Sequence, residues 1–157
     1  MADISLAKAL KIKNRLTGRL AKIQGDIQTF NSVSEGQAGQ IDVPDLMKAR
    51  EALVASLVNL KTAINDANRE TQRDIYDLAE KKASVQFLSS LSTLHGRQPA
   101  LYPSTTDIIY FASFKKCDLD ALIVTLEREI DHLQDKLDQF NQSCRIKIDD
   151  RILMLVS

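Results

Sequence analysis

The 157-residue sequence has no tryptophan, three prolines, five glycines and two cysteines, and no excess charge, with 21 basic and 21 acidic residues. Each shortage excludes something. A disordered chain combines few apolar residues with a large net charge, whereas 44% of this chain is hydrophobic and its charges cancel. No run approaches the roughly 18 apolar residues that a membrane-spanning helix requires. Residues 1–30 carry Lys8, Lys11, Lys13, Arg15, Arg19 and Lys22 among their apolar positions. They therefore offer no unbroken signal-peptide core, and export by a cleaved leader is not expected. Cys117 and Cys144 form no C-x-x-C or Cys/His cluster. Two reduced thiols and a cytoplasmic setting are the expectation.

What is abundant is Ala, Leu, Lys, Asp and Gln, and straight-chain residues lose little rotamer freedom in helices. At this length a single helical domain is expected. The first helix is predicted over about 5–30, because Leu16, Leu20, Ile23, Ile27 and Phe30 recur at alternating steps of four and three, a heptad seam. Gly18 and Gly25 fall inside it and weaken it, so packing has to hold it. Residues 31–42, with Gly36 and Gly39, read as a flexible connection. Asp42, Val43 and Pro44 then open a long middle helix over about 44–94, where the apolar stripe includes Leu46, Leu53, Leu57, Leu60, Ile64, Ile75, Leu78, Val85, Leu88 and Leu91. The stripe thins over 65–72, where polar side chains compete for backbone bonds, and a kink or polar layer is predicted there.

After a loop over 95–107, residues 108–114 (Ile-Ile-Tyr-Phe-Ala-Ser-Phe) are β-branched and aromatic and predict a strand. Its candidate partners are 145–148, which alternates polar and apolar residues, and the apolar 152–156. The last helix is predicted over about 118–143, with Asp118 as N-cap before Leu119, Leu122, Leu126, Ile130, Leu133, Leu137 and Phe140. The fold class expected is mainly α: an elongated antiparallel bundle or coiled coil of three long helices with a small β element pairing 108–114 with a C-terminal strand.

Charge is segregated. Residues 5–25 hold six basic and no acidic side chains, while 117–140 hold seven acidic and two basic. The basic helix lacks aromatic residues before Phe30 and the acidic helix opposes polyanions, so nucleic acid is not expected as a partner. Charge instead predicts pairing of the two helices, within one chain or between chains. At 1.5 Å per residue the outer helices reach about 39 Å and the middle one about 75 Å. Such a chain cannot surround its own seams, so a homo-oligomer held through heptad seams is expected, with an unknown protein partner as a further possibility.

The chemical motifs are thin. Glu129-Ile-Asp-His132 has the Glu-x-x-His spacing of di-iron carboxylate bundles, but these use two such pairs plus two more carboxylates, and one is present. On the helical wheel set by Ile130, Leu133 and Leu137, His132 points away from the seam and Glu129 flanks it, as on a solvated face. His95 reads as a surface loop histidine beside Gly96 and Arg97. No Gly-x-Ser-x-Gly elbow, no cysteine–histidine signature and no phosphate-binding glycine loop exists. No catalytic, cofactor-binding or metal-binding residue is therefore expected, no cofactor, and no enzyme.

The segments Leu6-Ala-Lys-Ala-Leu10, Leu60-Lys-Thr-Ala-Ile-Asn-Asp-Ala-Asn68, Asp74-Ile-Tyr-Asp-Leu-Ala-Glu-Lys-Lys82, the 108–114 strand, Asp118-Leu-Asp-Ala-Leu122 and Leu137-Asp-Gln-Phe-Asn141 stand out. Together they resemble a septicolysin-like family of small bacterial helical proteins of unknown function. The resemblance implies a helical fold with a small β element and brings no catalytic residues. Three functions remain to be weighed: a non-enzymatic self-associating scaffold or adaptor, which is favoured; a membrane-active, cytolysin-like protein; and a metal-binding helical-bundle enzyme built on Glu129 and His132. A pore former needs a spanning helix or amphipathic barrel strands, and a basic amphipathic helix without tryptophan suits packing better than a membrane surface.

Overall fold

A computed structural model of the chain describes residues 1–35, 41–99 and 107–155. Its order is β1 (Ala2–Ser5), α1 (Leu6–Phe30), α2 (Val43–Ala67), a 3-10 turn (Asn68–Glu70), α3 (Gln72–Ser90), β2 (Gly96–Gln98), β3 (Ile108–Tyr110), α4 (Lys116–Ser143), β4 (Arg145–Ile148) and α5 (Asp150–Met154). The protein is mainly helical, with two short antiparallel strand pairs. The chain divides into two compact units: Met1–Glu70 with Asp138–Ser157, and Thr71–Leu137.

The first unit holds a continuous core. Leu6, Ala9, Ile12 and Leu16 of α1 and Leu53, Leu57, Leu60 and Ile64 of α2 are buried, at the three- and four-residue steps that keep side chains on one helix face. Leu20 and Ile23 of the predicted seam pack against this cluster. Ser5 caps α1, its hydroxyl accepting the Lys8 N–H at 3.2 Å, and Asp42 caps α2, its carboxylate accepting the Asp45 N–H at 3.0 Å. β1 and β4 close the core: Ile4 faces Ile146 across the pair, and Ile146 and Ile148 alternate inward with Arg145 and Lys147 outward. The Leu6 N–H donates to the Cys144 carbonyl at 2.9 Å, carrying the pairing to the start of α1.

Several expected boundaries and pairings are corrected. Strand 108–114 shortens to Ile108–Tyr110 and pairs with Gly96–Gln98, not with a C-terminal segment. Closing that short local connection costs less chain entropy than reaching the end of the chain. Gly96 opens β2 at φ +83°, a left-handed conformation that side chains rarely adopt. The 145–148 strand takes Ala2–Ser5 as partner, a strand too short and too sparsely apolar to be read from the sequence. Segment 152–156 is no strand over its described residues: Asp149 caps a helical turn, Asp150–Met154, that buries Ile152, while Val156 lies outside the described residues.

The middle helix does not run unbroken from 44 to 94. It stops at Ala67, passes through the 3-10 turn within the polar 65–72 stretch, and resumes at Gln72 after the buried Thr71. α3 ends at Ser90, four residues early: the Ser90 hydroxyl donates to the Phe87 carbonyl at 2.7 Å, and Leu91 is already extended. Asp118 is not the N-cap of α4. It lies in the first turn, and its carboxylate reaches back to the Lys115 N–H at 3.0 Å, the returning half of a capping box. Of the connections read as loops, residues 36–40 of 31–42 and 100–106 of 95–107 lie outside the described residues.

Candidate functional site

In the second unit α3 and α4 are joined by side-chain polar links. Lys136 Nζ meets Asp74 Oδ2 at 2.7 Å, and Lys81 Nζ meets Glu129 Oε2 at 2.6 Å. From the first link to the second, position rises by seven on α3 and falls by seven on α4, so the helices run antiparallel one heptad apart. Lys82 Nζ donates to Gln134 Oε1 at 3.4 Å close by.

Around Lys81 lies an open groove of about 380 Å³ lined by Asp77, Lys81, Arg128, Glu129, His132 and Leu133. Lys81 also approaches Asp77 Oδ1, one helical turn back, at 3.5 Å. The hydrogen bond to Glu129, reinforced by the charges of Asp77 and Glu129, raises the Lys81 pKa above its ordinary value. That direction is opposite to what a lysine base or nucleophile poised near neutrality requires. The Glu129 carboxylate is committed to Lys81, and His132 is exposed on the groove. Among the described residues no group of three or more His, Cys, Asp or Glu is placed to hold a metal ion.

His95 stands at the base of the β2–β3 hairpin. Its Nδ1 accepts the Ala112 N–H at 3.1 Å, and its ring meets Phe111 edge-on at 6.1 Å between centroids. It ties the two ends of the hairpin together, a role that its loop position alone did not reveal. Cys117, in the first turn of α4, is exposed, and Cys144, just past its end, is half-buried; both are free thiols. Lys81 was not singled out from the sequence, although the Asp77–Lys81 spacing was a signal for a helix-surface pair.

The other conspicuous surface of the second unit is apolar. Its buried apolar side chains are Leu119 and Leu137 among the described residues, while Phe87, Ile108, Ile109, Phe111, Phe114 and Leu122 are exposed, Phe111 by 84%. No buried residue lies on α3. No described helix is long and apolar enough to cross a membrane.

These features define a mainly helical protein with two short antiparallel strand pairs. Comparison with family models, curated proteins and solved structures finds no match.

Proposed function

We propose that the protein is a non-enzymatic, self-associating helical scaffold or adaptor, acting in the cytoplasm as a homo-oligomer of antiparallel long helices. The observation that carries this reading is an imbalance in burial. Of the fourteen buried apolar side chains among the described residues, twelve form the core of the first unit. The second unit instead exposes aromatic and aliphatic side chains on its hairpin and on both of its helices. Exposed apolar side chains in such number favour association, and further copies of the chain would cover them. The septicolysin-like resemblance belongs to the same proposal and supplies no mechanism of its own.

Sedimentation velocity and light scattering at tens of micromolar test it. An oligomer is expected, and a compact monomer throughout would overturn it. The alternative of a membrane-active protein draws on the exposed Ile108 and Ile109 of β3 and Phe111 and Phe114 just past it. It predicts dye release from anionic vesicles, which the scaffold reading does not.

A further inference from the structure

The exposed charges of α1 and α4 are arranged in two stripes of the same period. On α1, Lys8, Lys11, Arg15, Arg19 and Lys22 follow one another at steps of three, four, four and three, and all are exposed. At 100° per residue they lie within an arc of about 80°, beside the buried face of Leu6, Ala9, Ile12 and Leu16. On α4, Glu127, Asp131, Asp135 and Asp138 follow at steps of four, four and three, with Asp120 one heptad before Glu127. These acids also fall within an arc of about 80°, on the side away from Leu119, Leu126, Leu133 and Leu137. Lys11, Arg15, Arg19 and Lys22 repeat the spacing of Glu127, Asp131, Asp135 and Asp138 position for position. Each set covers about 17 Å of helix.

The two stripes are not neutralised at most of their positions. Among the described residues Lys8, Lys11, Arg15 and Lys22 make no ion pair, and neither do Glu127, Asp131 and Asp135. Arg19 donates to the Leu155 carbonyl at 2.7 Å, which holds its guanidinium without cancelling its charge. Asp26 closes the basic stripe one turn beyond Lys22, and Arg128 borders the acidic one, so each stripe has a defined edge.

We propose that the basic stripe of α1 docks on the acidic stripe of α4 in a second copy of this chain. The inference rests on the self-association reading above and deepens it by naming the surface and its partner. Matched spacing favours this occupant over a lipid or nucleic-acid surface, because a uniform polyanion does not explain why the same period recurs with opposite sign on α4. Every copy carries one stripe of each sign and so offers both halves of the contact. Single exposed ion pairs contribute little, but a row of them sets orientation and speeds encounter while apolar burial supplies affinity.

The test uses the full chain and two charge-reversed forms. One carries Lys11→Glu, Arg15→Glu and Lys22→Glu; the other carries Glu127→Lys, Asp131→Lys and Asp135→Lys. Circular dichroism establishes that each folds as the parent does, and sedimentation velocity reads association. The parent chain is expected to associate in about 50 mM NaCl and to weaken by about tenfold or more in about 500 mM NaCl. Each reversed form alone is expected to be monomeric, and an equimolar mixture of the two is expected to restore a dimer. If the reversed forms associate as the parent does, without salt dependence, the stripe contact is overturned while self-association stands. If the parent is monomeric throughout, both fall. Monomeric parent protein that binds anionic vesicles or duplex DNA through Lys11, Arg15 and Lys22 would likewise overturn it.

Discussion

Lys81 on α3 and Glu129 on α4 meet at 2.6 Å, and Asp77 stands 3.5 Å from the same ammonium. The pair sits seven residues along each helix from the Asp74–Lys136 bridge, so the two contacts specify both the direction and the register of the helices they join. A lysine held in this way is a structural cation.

Its pH dependence follows from the direction of the shift. The Glu129 hydrogen bond raises the Lys81 pKa in the folded protein above the ordinary 10.5. The contribution of the pair is therefore fully present below about pH 10.5, the unfolded value, and is lost as pH rises through the higher folded value. Lys81→Met is expected to lower the melting temperature modestly, by an amount constant from about pH 7 to about pH 10 and shrinking above that. Thermal melts of both proteins across this range check it, and a difference that disappears near neutrality would remove the pair as a stabilising contact.

Along α1, two kinds of substitution have opposite signs. A Cβ added at Gly18 or Gly25 meets nothing within 4 Å, so Ala at either position relieves a backbone-entropy cost without a clash. Each is expected to stabilise by about 0.5–1 kcal/mol. Leu16 is fully buried against the first unit's core, and Leu16→Ala is expected to cost about 2–5 kcal/mol through lost burial and the cavity left behind. Urea unfolding monitored by circular dichroism separates these outcomes.

Asp3 lies directly opposite Lys147 in the β1–β4 pair, and Arg145 lies two residues away from that partner. Facing residues in an antiparallel pair have Cα atoms about 4.5–5.5 Å apart, within the span of a disulfide. In a background where Cys117 and Cys144 are serine, Asp3→Cys with Lys147→Cys is expected to crosslink readily on mild oxidation. Asp3→Cys with Arg145→Cys is expected to crosslink far less. Reversed efficiencies, read by non-reducing electrophoresis and mass spectrometry, would show a different register.

The candidate surfaces were unevenly legible in the sequence. The opposite charges of 5–25 and 117–140 are visible by counting, and the stripes follow because residues three and four apart share a helix face. His132 is exposed, but the partner that occupies Glu129 was not visible, because Lys81 lies 48 residues away. His95 read as a loop residue for the same reason: its acceptor role depends on Ala112, 17 positions on.

By itself the amino-acid order determined the helical character of the chain, the apolar steps of three and four, a helix opening near Pro44 and the weak polar stretch at 65–72. All of these arise from neighbours within a turn or two, where backbone geometry converts spacing directly into position. Tertiary structure alone decided that 145–148 joins Ala2–Ser5, that 108–110 joins 96–98, and that 150–154 becomes a helical turn over Ile152. It also decided that Leu6, Ala9, Ile12 and Leu16 of α1 and Leu53, Leu57, Leu60 and Ile64 of α2 form a core, which Ile27 and Phe30 of the expected seam do not join, while α3 buries no residue. A strand's hydrogen bonds and a leucine's burial are completed by groups far along the chain, and local periodicity carries no record of which distant group arrives.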